Sequence, residues 1–174
     1  GGSQHVKGFE ARRTRTLERL NPATETKLLM DRSGLNTEIF SGGGTGTYNI
    51  DHETAGLTDV QVGSYVFMDA QYLSIGGASN DEVYSDFEPS LTVLTTVLNA
   101  QYEGRATTDA GAKACTINQP WPIVKGETGM IYRSGSDEFG SIRYADSSRI
   151  YGVGEKLELI VSHCDPVVNL YNEM

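Results

Sequence analysis

The sequence has few cysteines, few basic residues and no long apolar runs. Its 174 residues include two cysteines, Cys115 and Cys164, too few for a disulfide framework, which indicates a reducing compartment. Lysine and arginine total 14 against 23 acidic residues, and the net charge of −9 argues against nucleic acid or an anionic membrane as a partner. No apolar run approaches the ~20 residues that cross a bilayer, and a signal-peptide pattern is absent from the start. We therefore expect a cytoplasmic protein without a nucleic-acid or membrane partner.

The first part of the chain has the patterns of helices followed by short strands. An amphipathic pattern over residues 9–20 stops at Asn21-Pro22, a pair that predicts the start of a second helix. Strand patterns follow at residues 37–40 and 60–69. This order of elements is expected of a parallel α/β sheet.

Basic residues are concentrated near the start of the chain, although the whole chain is acidic. Five of them lie within thirteen residues: Lys7, Arg12, Arg13, Arg15 and Arg19. Because they alternate with apolar residues at helical spacing, we expect a solvated helix face and not a binding arm.

Beyond about residue 74 the sequence becomes rich in strand patterns. They fall at residues 91–98, 105–109, 130–132, 141–144 and 156–161. Turn signals recur roughly every ten residues, and residues 134–140 have the composition of a hairpin turn. These features predict a small β-domain of barrel or sandwich type.

A glycine-rich turn at residues 41–48 follows the first strand pattern and contains four of the chain's 20 glycines. Backbone N–H groups in such a turn can approach an anion closely. The turn lacks the lysine of a P-loop and the third glycine of the dinucleotide fingerprint. A hydroxyl-rich cradle for a phosphate and a flexible turn therefore both stay open.

His163 and Asp165 follow the strand pattern at residues 156–161. In an extended chain alternate residues face one side, so we expect these two side chains to project together while Cys164 points away. An imidazole and a carboxylate make half of a site for Mn²⁺, Mg²⁺, Co²⁺ or Zn²⁺, which waters or substrate can complete. A hydrogen-bonded His–Asp pair without a metal is the alternative, and the spacing disfavours Cys164 as a ligand.

Four segments together resemble the D-threonine aldolase family, which belongs to the alanine-racemase-like class of pyridoxal-phosphate enzymes. In chain order they are residues 41–48, 63–69, 109–113 and 163–171. The resemblance spans nearly the whole chain. It implies the last strands and helices of a TIM-type (β/α)8 barrel in residues 1–74, followed by a β-rich C-terminal domain in residues 75–174 that carries the metal ligands.

The resemblance also implies roles for individual residues. His163 and Asp165 match the family's divalent-metal ligands, and Asp137 matches a substrate contact. The implied activity is the cleavage of D-threonine or a related D-β-hydroxy-α-amino acid to glycine and an aldehyde, in a homodimer. The residues implied for pyridoxal 5′-phosphate and its surroundings are Ser41, Gly42, Gly43, Gly44, Thr45, Asp69 and Tyr72.

The family's Schiff-base lysine lies on an early barrel strand, and no lysine of this chain stands at a matching position. We therefore expect a C-terminal portion that needs the N-terminal portion of the same protein as its partner and is inactive alone. D-serine dehydratases carry cysteine where this chain has Asp165, which favours the aldolase branch. The alternatives are a D-serine or 3-hydroxyaspartate dehydratase of the same fold, and a non-catalytic dimerisation domain.

Overall fold

The computed structural model describes residues 2–145 and 150–174, and the chain divides into two compact units. The first comprises residues 1–66 and 72–87, and the second comprises residues 67–71 and 88–174. The sequence places the change of character after residue 74, whereas the structure assigns residues 67–71 to the second unit. The reason is backbone pairing, since Ala70 and Gln71 donate hydrogen bonds of 2.9 and 3.1 Å to the carbonyls of Val161 and Ser162.

The first unit begins with one long helix, α1 (Phe9–Arg32), and not with the two helices expected from the sequence. Pro22 lies inside the helix. A proline removes one N–H donor from the helical ladder and strains the preceding turn, but this local cost does not oblige the helix to end. The helix ends at Arg32. The N–H of the next residue, Ser33, donates to the carbonyls of Leu29 and Met30, and the chain then turns through Gly34 at a φ of +76°. Across the described residues, α1 and every other helix is too short or too polar to span a membrane.

Short elements complete the first unit. They are β1 (Ser41–Gly42), α2 (Tyr48–Asp51), β2 (Asp59–Val60), a 3-10 helix (Ser64–Val66) and the last two residues of α3 (Ala70–Leu73). β1 and β2 pair in parallel, as the order of the patterns predicts, with Ser41 opposite Asp59. The strands are two residues long, so the expected strands at 37–40 and 60–69 are wrong in extent. In the described residues, the parallel sheet consists of these two strands alone, which is too little to define a barrel. The TIM-type barrel therefore stays a prediction.

Arg12 is the largest fully buried side chain of the first unit, with 0% exposure, although the sequence places it on a solvated face. Its guanidinium donates to four backbone carbonyls, those of Val6, Gly46, Ile75 and Gly76, at 2.7 to 3.0 Å. Burial lowers the pKa of the guanidinium from its usual value. The expectation of a solvated face is therefore wrong for this arginine, which instead joins three separate segments of the unit.

The second unit is built on a six-stranded antiparallel sheet, which confirms the predicted β-domain. Its strands are β3 (Thr92–Tyr102), β4 (Arg105–Thr108), β5 (Ile123–Val124), β6 (Met130–Ser134), β7 (Gly140–Tyr144) and β8 (Lys156–Ile160). They lie in the order β5-β8-β3-β4-β7-β6. Two short helices, α4 (Ala112–Cys115) and α5 (Cys164–Val168), belong to the same unit. Alternate residues of the strands are buried in one apolar core, which includes Val97, Ile142 and Leu159.

Cys115 lies in this core, and burial raises the pKa of its thiol to about 11. A rise of about two pKa units lowers the thiolate fraction near neutral pH about 100-fold, and the thiolate is the reactive form. We expect Cys115 of the native protein to react with Ellman's reagent at least about 100-fold more slowly than the same thiol in denaturant. Stopped-flow absorbance checks this, and equal rates in the two states would contradict the burial.

Candidate functional site

His163 and Asp165 lie together at the start of α5, in the second unit. His163 has an extended backbone and is the residue that precedes the helix. Its Nε2 atom is 3.9 Å from Oδ2 of Asp165, with side-chain exposures of 24% and 71%. This distance is too long for a hydrogen bond, whereas one cation with bonds of about 2.0–2.2 Å can contact both atoms. The structure thus brings together the two residues that the sequence predicts as metal ligands.

The reason for their proximity differs from the predicted one. The strand ends at Ile160, and a helical turn begins at Cys164, so residues 163–165 are not a continuous extended segment. Cys164 does not point away, because its Sγ lies 3.4 Å from Oδ1 of Asp165. Its thiol therefore belongs to the same cluster of side chains.

Asp69 is the third member of this cluster, and its side chain is fully buried. Its Oδ2 atom lies 3.2 Å from Nδ1 of His163 and accepts a 2.9 Å hydrogen bond from the N–H of Cys164. The side-chain ligand atoms of Asp69, His163 and Cys164 all lie within 4.8 Å of one another. The resemblance assigns Asp69 to the cofactor, and its contacts with the metal pair could not be read from a residue 94 positions earlier.

The glycine-rich turn lies in the first unit and connects β1 to α2. Gly43 has a φ of +73°, and a Cβ atom there would lie 1.8 Å from Oδ2 of Asp51. Asp51 accepts hydrogen bonds from the Thr47 hydroxyl and the Gly44 N–H, although burial raises its pKa. The N–H of Gly46 donates to the side chain of Gln4 at 2.9 Å. Two donors of the turn, the Thr47 hydroxyl and the Gly44 N–H, are therefore already bound to the Asp51 carboxylate.

The other residues predicted around the cofactor have separate contacts. The Ser41 hydroxyl donates to Asp59 and lowers the pKa of that carboxyl group. Thr45 is buried, and its hydroxyl accepts a 3.0 Å hydrogen bond from the N–H of Tyr65. The Tyr72 ring lies 4.8 Å from the ring of His5, centre to centre. The structure therefore places Ser41, Thr45 and Tyr72 in the first unit, whereas Asp69 belongs to the second.

Asp137 lies at the tip of the β6–β7 hairpin, where its side chain is exposed. The predicted hairpin is confirmed, with Ser134 opposite Gly140 in the register. The tip packs closely on the start of α4, since the N–H of Lys113 donates to the Asp137 carbonyl at 3.0 Å. A Cβ atom at Gly111 would lie 2.4 Å from that same carbonyl oxygen. A glycine at this position thus lets the hairpin tip approach α4.

Gly111→Ala is expected to lower the free energy of unfolding by about 1–3 kcal/mol, because the added methyl group would displace the hairpin backbone. Urea unfolding measures this loss. Gly152→Ala is the matched control, since the space around a Cβ atom there is open to 4 Å. Equal stability of the two variants would contradict the close packing of the tip.

An imidazole and a carboxylate in this arrangement are ligands that can hold a divalent cation. Comparison with known proteins identifies the class of enzyme that this chain resembles. A sequence profile described as "Putative serine dehydratase domain" matches residues 90–174. A 3-hydroxy-D-aspartate aldolase of Paracoccus denitrificans (strain Pd 1222) is 33% identical over 173 residues, which are 99% of this chain and 44% of the relative.

Two D-threonine aldolases are similar to the same extent. One from an Arthrobacter species is 34% identical over 172 residues, which are 99% of this chain and 44% of the relative. The crystal structure of the enzyme from Filomicrobium marinum superposes with a TM-score of 0.88 at 32% identity, covering 99% of this chain and 46% of that chain. These comparisons support the D-threonine aldolase family that the sequence motifs resemble, and the chain has the alanine-racemase-like fold. It spans less than half the length of these relatives.

Proposed function

We propose that this chain is the C-terminal portion of a lyase that cleaves D-threonine or a related D-β-hydroxy-α-amino acid and depends on pyridoxal phosphate and a divalent metal. The observation that carries the proposal is the His163–Asp165 pair with its 3.9 Å separation, backed by the buried Asp69. The names of the relatives support the substrate class, since they are called 3-hydroxy-D-aspartate aldolase and D-threonine aldolase.

The donor set at His163 and Asp165 fits a divalent cation. An imidazole nitrogen and a carboxylate oxygen suit Mn²⁺, Mg²⁺, Co²⁺ or Zn²⁺, and the 71% exposure of Asp165 leaves the pair accessible to water and substrate. A cation held there would supply Lewis acidity toward the β-hydroxyl oxygen of the substrate. His163 and Asp165 would orient that cation and transfer no proton themselves.

The glycine-rich turn fits a phosphate less completely. The half-buried Ser41, Gly42 and Gly43 offer main chain at the surface of the turn, while the neighbouring Gly44 already donates to Asp51. In the proposal, residues 41–45 bind the phosphate of pyridoxal 5′-phosphate. The cofactor, when bound, supplies the electron sink that cleavage of a Cα–Cβ bond requires.

The proposed reaction conserves every atom of the substrate. The β-hydroxyl loses its proton, the Cα–Cβ bond breaks, and the Cβ fragment leaves as an aldehyde. Cα takes up a proton, and the amino acid product is glycine. D-threonine gives acetaldehyde by this route, and 3-hydroxy-D-aspartate gives glyoxylate.

The proposal includes two partners. The N-terminal portion of the same protein would supply the Schiff-base lysine, and a homodimer would be the active form. We call this chain together with that portion the complete enzyme. The −9 charge of the chain fits a small-molecule enzyme better than a polyanion binder.

Product analysis of the complete enzyme tests the proposal. With D-threonine and Mn²⁺ we expect glycine and acetaldehyde in equal amounts, and we expect EDTA to stop their formation. The chain alone is expected to show no bound-cofactor absorbance. Absence of glycine and aldehyde from every D-β-hydroxy-α-amino acid offered would overturn the proposal.

A dehydratase is the second candidate, because the profile that matches residues 90–174 is named for serine dehydratase. Such an enzyme expels the β-substituent and yields ammonia and an oxo acid. Ammonia and pyruvate from D-serine, or ammonia and oxaloacetate from 3-hydroxy-D-aspartate, would favour it. A non-catalytic dimerisation domain would give neither set of products and would bind no metal.

A further inference from the structure

We propose that Asp69 is a positioning residue that holds His163 with its Nε2 atom directed toward a metal, an inference that rests on the proposed function. The contacts that carry it are the 3.2 Å approach of Asp69 Oδ2 to Nδ1 of His163 and the 2.9 Å hydrogen bond from the N–H of Cys164. One carboxylate oxygen thus contacts both the imidazole and the backbone beside it.

The position of Asp69 is fixed independently of its side chain. The next two residues, Ala70 and Gln71, pair through their N–H groups with the carbonyls of Val161 and Ser162. The preceding residue, Met68, is fully buried and has a φ of +51°, a left-handed conformation that is unfavourable for a side chain of this kind. The backbone therefore holds Asp69 opposite residues 162–163, and such local strain is typical of functional sites.

The chemical consequence concerns the two nitrogens of the imidazole. A neutral histidine carries its proton on one nitrogen and a lone pair on the other. When Nδ1–H donates to Asp69, the lone pair is on Nε2, the atom that lies 3.9 Å from the Asp165 carboxylate. Carboxylates that accept from the second nitrogen of a ligating histidine fix the tautomer and ring orientation, and their loss typically weakens metal binding about 10–100-fold.

The burial of Asp69 distinguishes this role from direct ligation. Its side chain is 0% exposed, while that of Asp165 is 71% exposed. The Oδ2 atom of Asp69 already accepts from the N–H of Cys164 and lies 3.2 Å from Nδ1 of His163. Asp165 and Nε2 of His163 are therefore the atoms that meet the cation, and Asp69 acts through His163.

The test has two readouts, both on the complete enzyme. The first is the ¹⁵N spectrum of metal-free protein with labelled histidine, at a pH where free imidazole is neutral. We expect His163 to show a protonated Nδ1 and an unprotonated Nε2, and we expect Asp69→Ala to lose this single tautomer. His5 and His52 serve as internal references. A mixed tautomer in the wild-type protein, or an unchanged one in the variant, would overturn the inference.

The second readout is Mn²⁺ affinity, measured by electron paramagnetic resonance. Asp69→Ala is expected to raise Kd about 10–100-fold, and Asp69→Asn, which keeps an acceptor oxygen, is expected to raise it less. Asp109→Asn is the control for general destabilisation, because that carboxylate accepts from Thr95 and Thr96 elsewhere in the same unit. Wild-type affinity in Asp69→Ala would overturn the inference alone, whereas absence of Mn²⁺ binding by the wild-type enzyme would overturn the proposed function.

Discussion

Replacing His163 by alanine is expected to reduce the aldol cleavage rate of the complete enzyme to the rate of the wild-type enzyme in EDTA. The expected loss is about 100-fold or more, because Lewis-acid stabilisation of a developing alkoxide is worth several kcal/mol. Asp165→Ala removes the other side chain of the 3.9 Å pair and is expected to have the same effect. Initial rates with saturating D-threonine and Mn²⁺ measure both losses.

The matched control for these variants is His52→Ala, since His52 is exposed and lies in the other unit. It is expected to keep the wild-type rate and metal dependence. The variants at 163 and 165 should also keep the wild-type unfolding midpoint, because both side chains are at least partly exposed. Wild-type activity in either of them would refute the assignment of the metal pair.

The second large effect concerns stability. Arg12→Met is expected to lower the free energy of unfolding by at least about 3 kcal/mol, since it leaves buried carbonyl groups without a donor. Methionine fills part of the arginine volume, so the loss reports mainly on the four hydrogen bonds. Arg12→Lys should recover part of it, because an ammonium group can donate to some but not all of these carbonyls.

Arg15→Ala is the control for Arg12, since it removes an exposed arginine from the same helix. Surface substitutions of this kind usually change stability by less than about 0.5 kcal/mol. Denaturant unfolding followed by circular dichroism distinguishes the two variants. A loss at Arg12 no larger than that at Arg15 would show that the buried guanidinium contributes little to the fold.

The strands of the second unit could be predicted from the sequence because their side chains alternate between core and surface. The pattern at residues 91–98 identified β3, and the strand continues to Tyr102 because β4 pairs with it there. β5 was missed, since two residues are too few for an alternating pattern. In the first unit, Asn21-Pro22 resembled a helix start, and the local signal did not reveal that α1 continues through Pro22.

The candidate site also has a part that the sequence predicts and a part that it does not. His163 and Asp165 are predictable because they lie two positions apart in the sequence. Asp69 is brought to them by long-range backbone pairing, and sequence spacing carries no signal of that contact. The sequence predicts a solvated position for Arg12, because a helical pattern is read from the polarity of the side chains alone. Its burial depends on carbonyl oxygens up to 64 residues away.

The most direct test of this account is the number of Mn²⁺ ions that each chain of the complete enzyme binds, measured by equilibrium dialysis. The account predicts one ion per chain in the wild-type enzyme and its loss in His163→Ala and Asp165→Ala. A wild-type enzyme that binds no divalent metal, or variants that bind it with unchanged affinity, would contradict the central claim that His163 and Asp165 form a metal site.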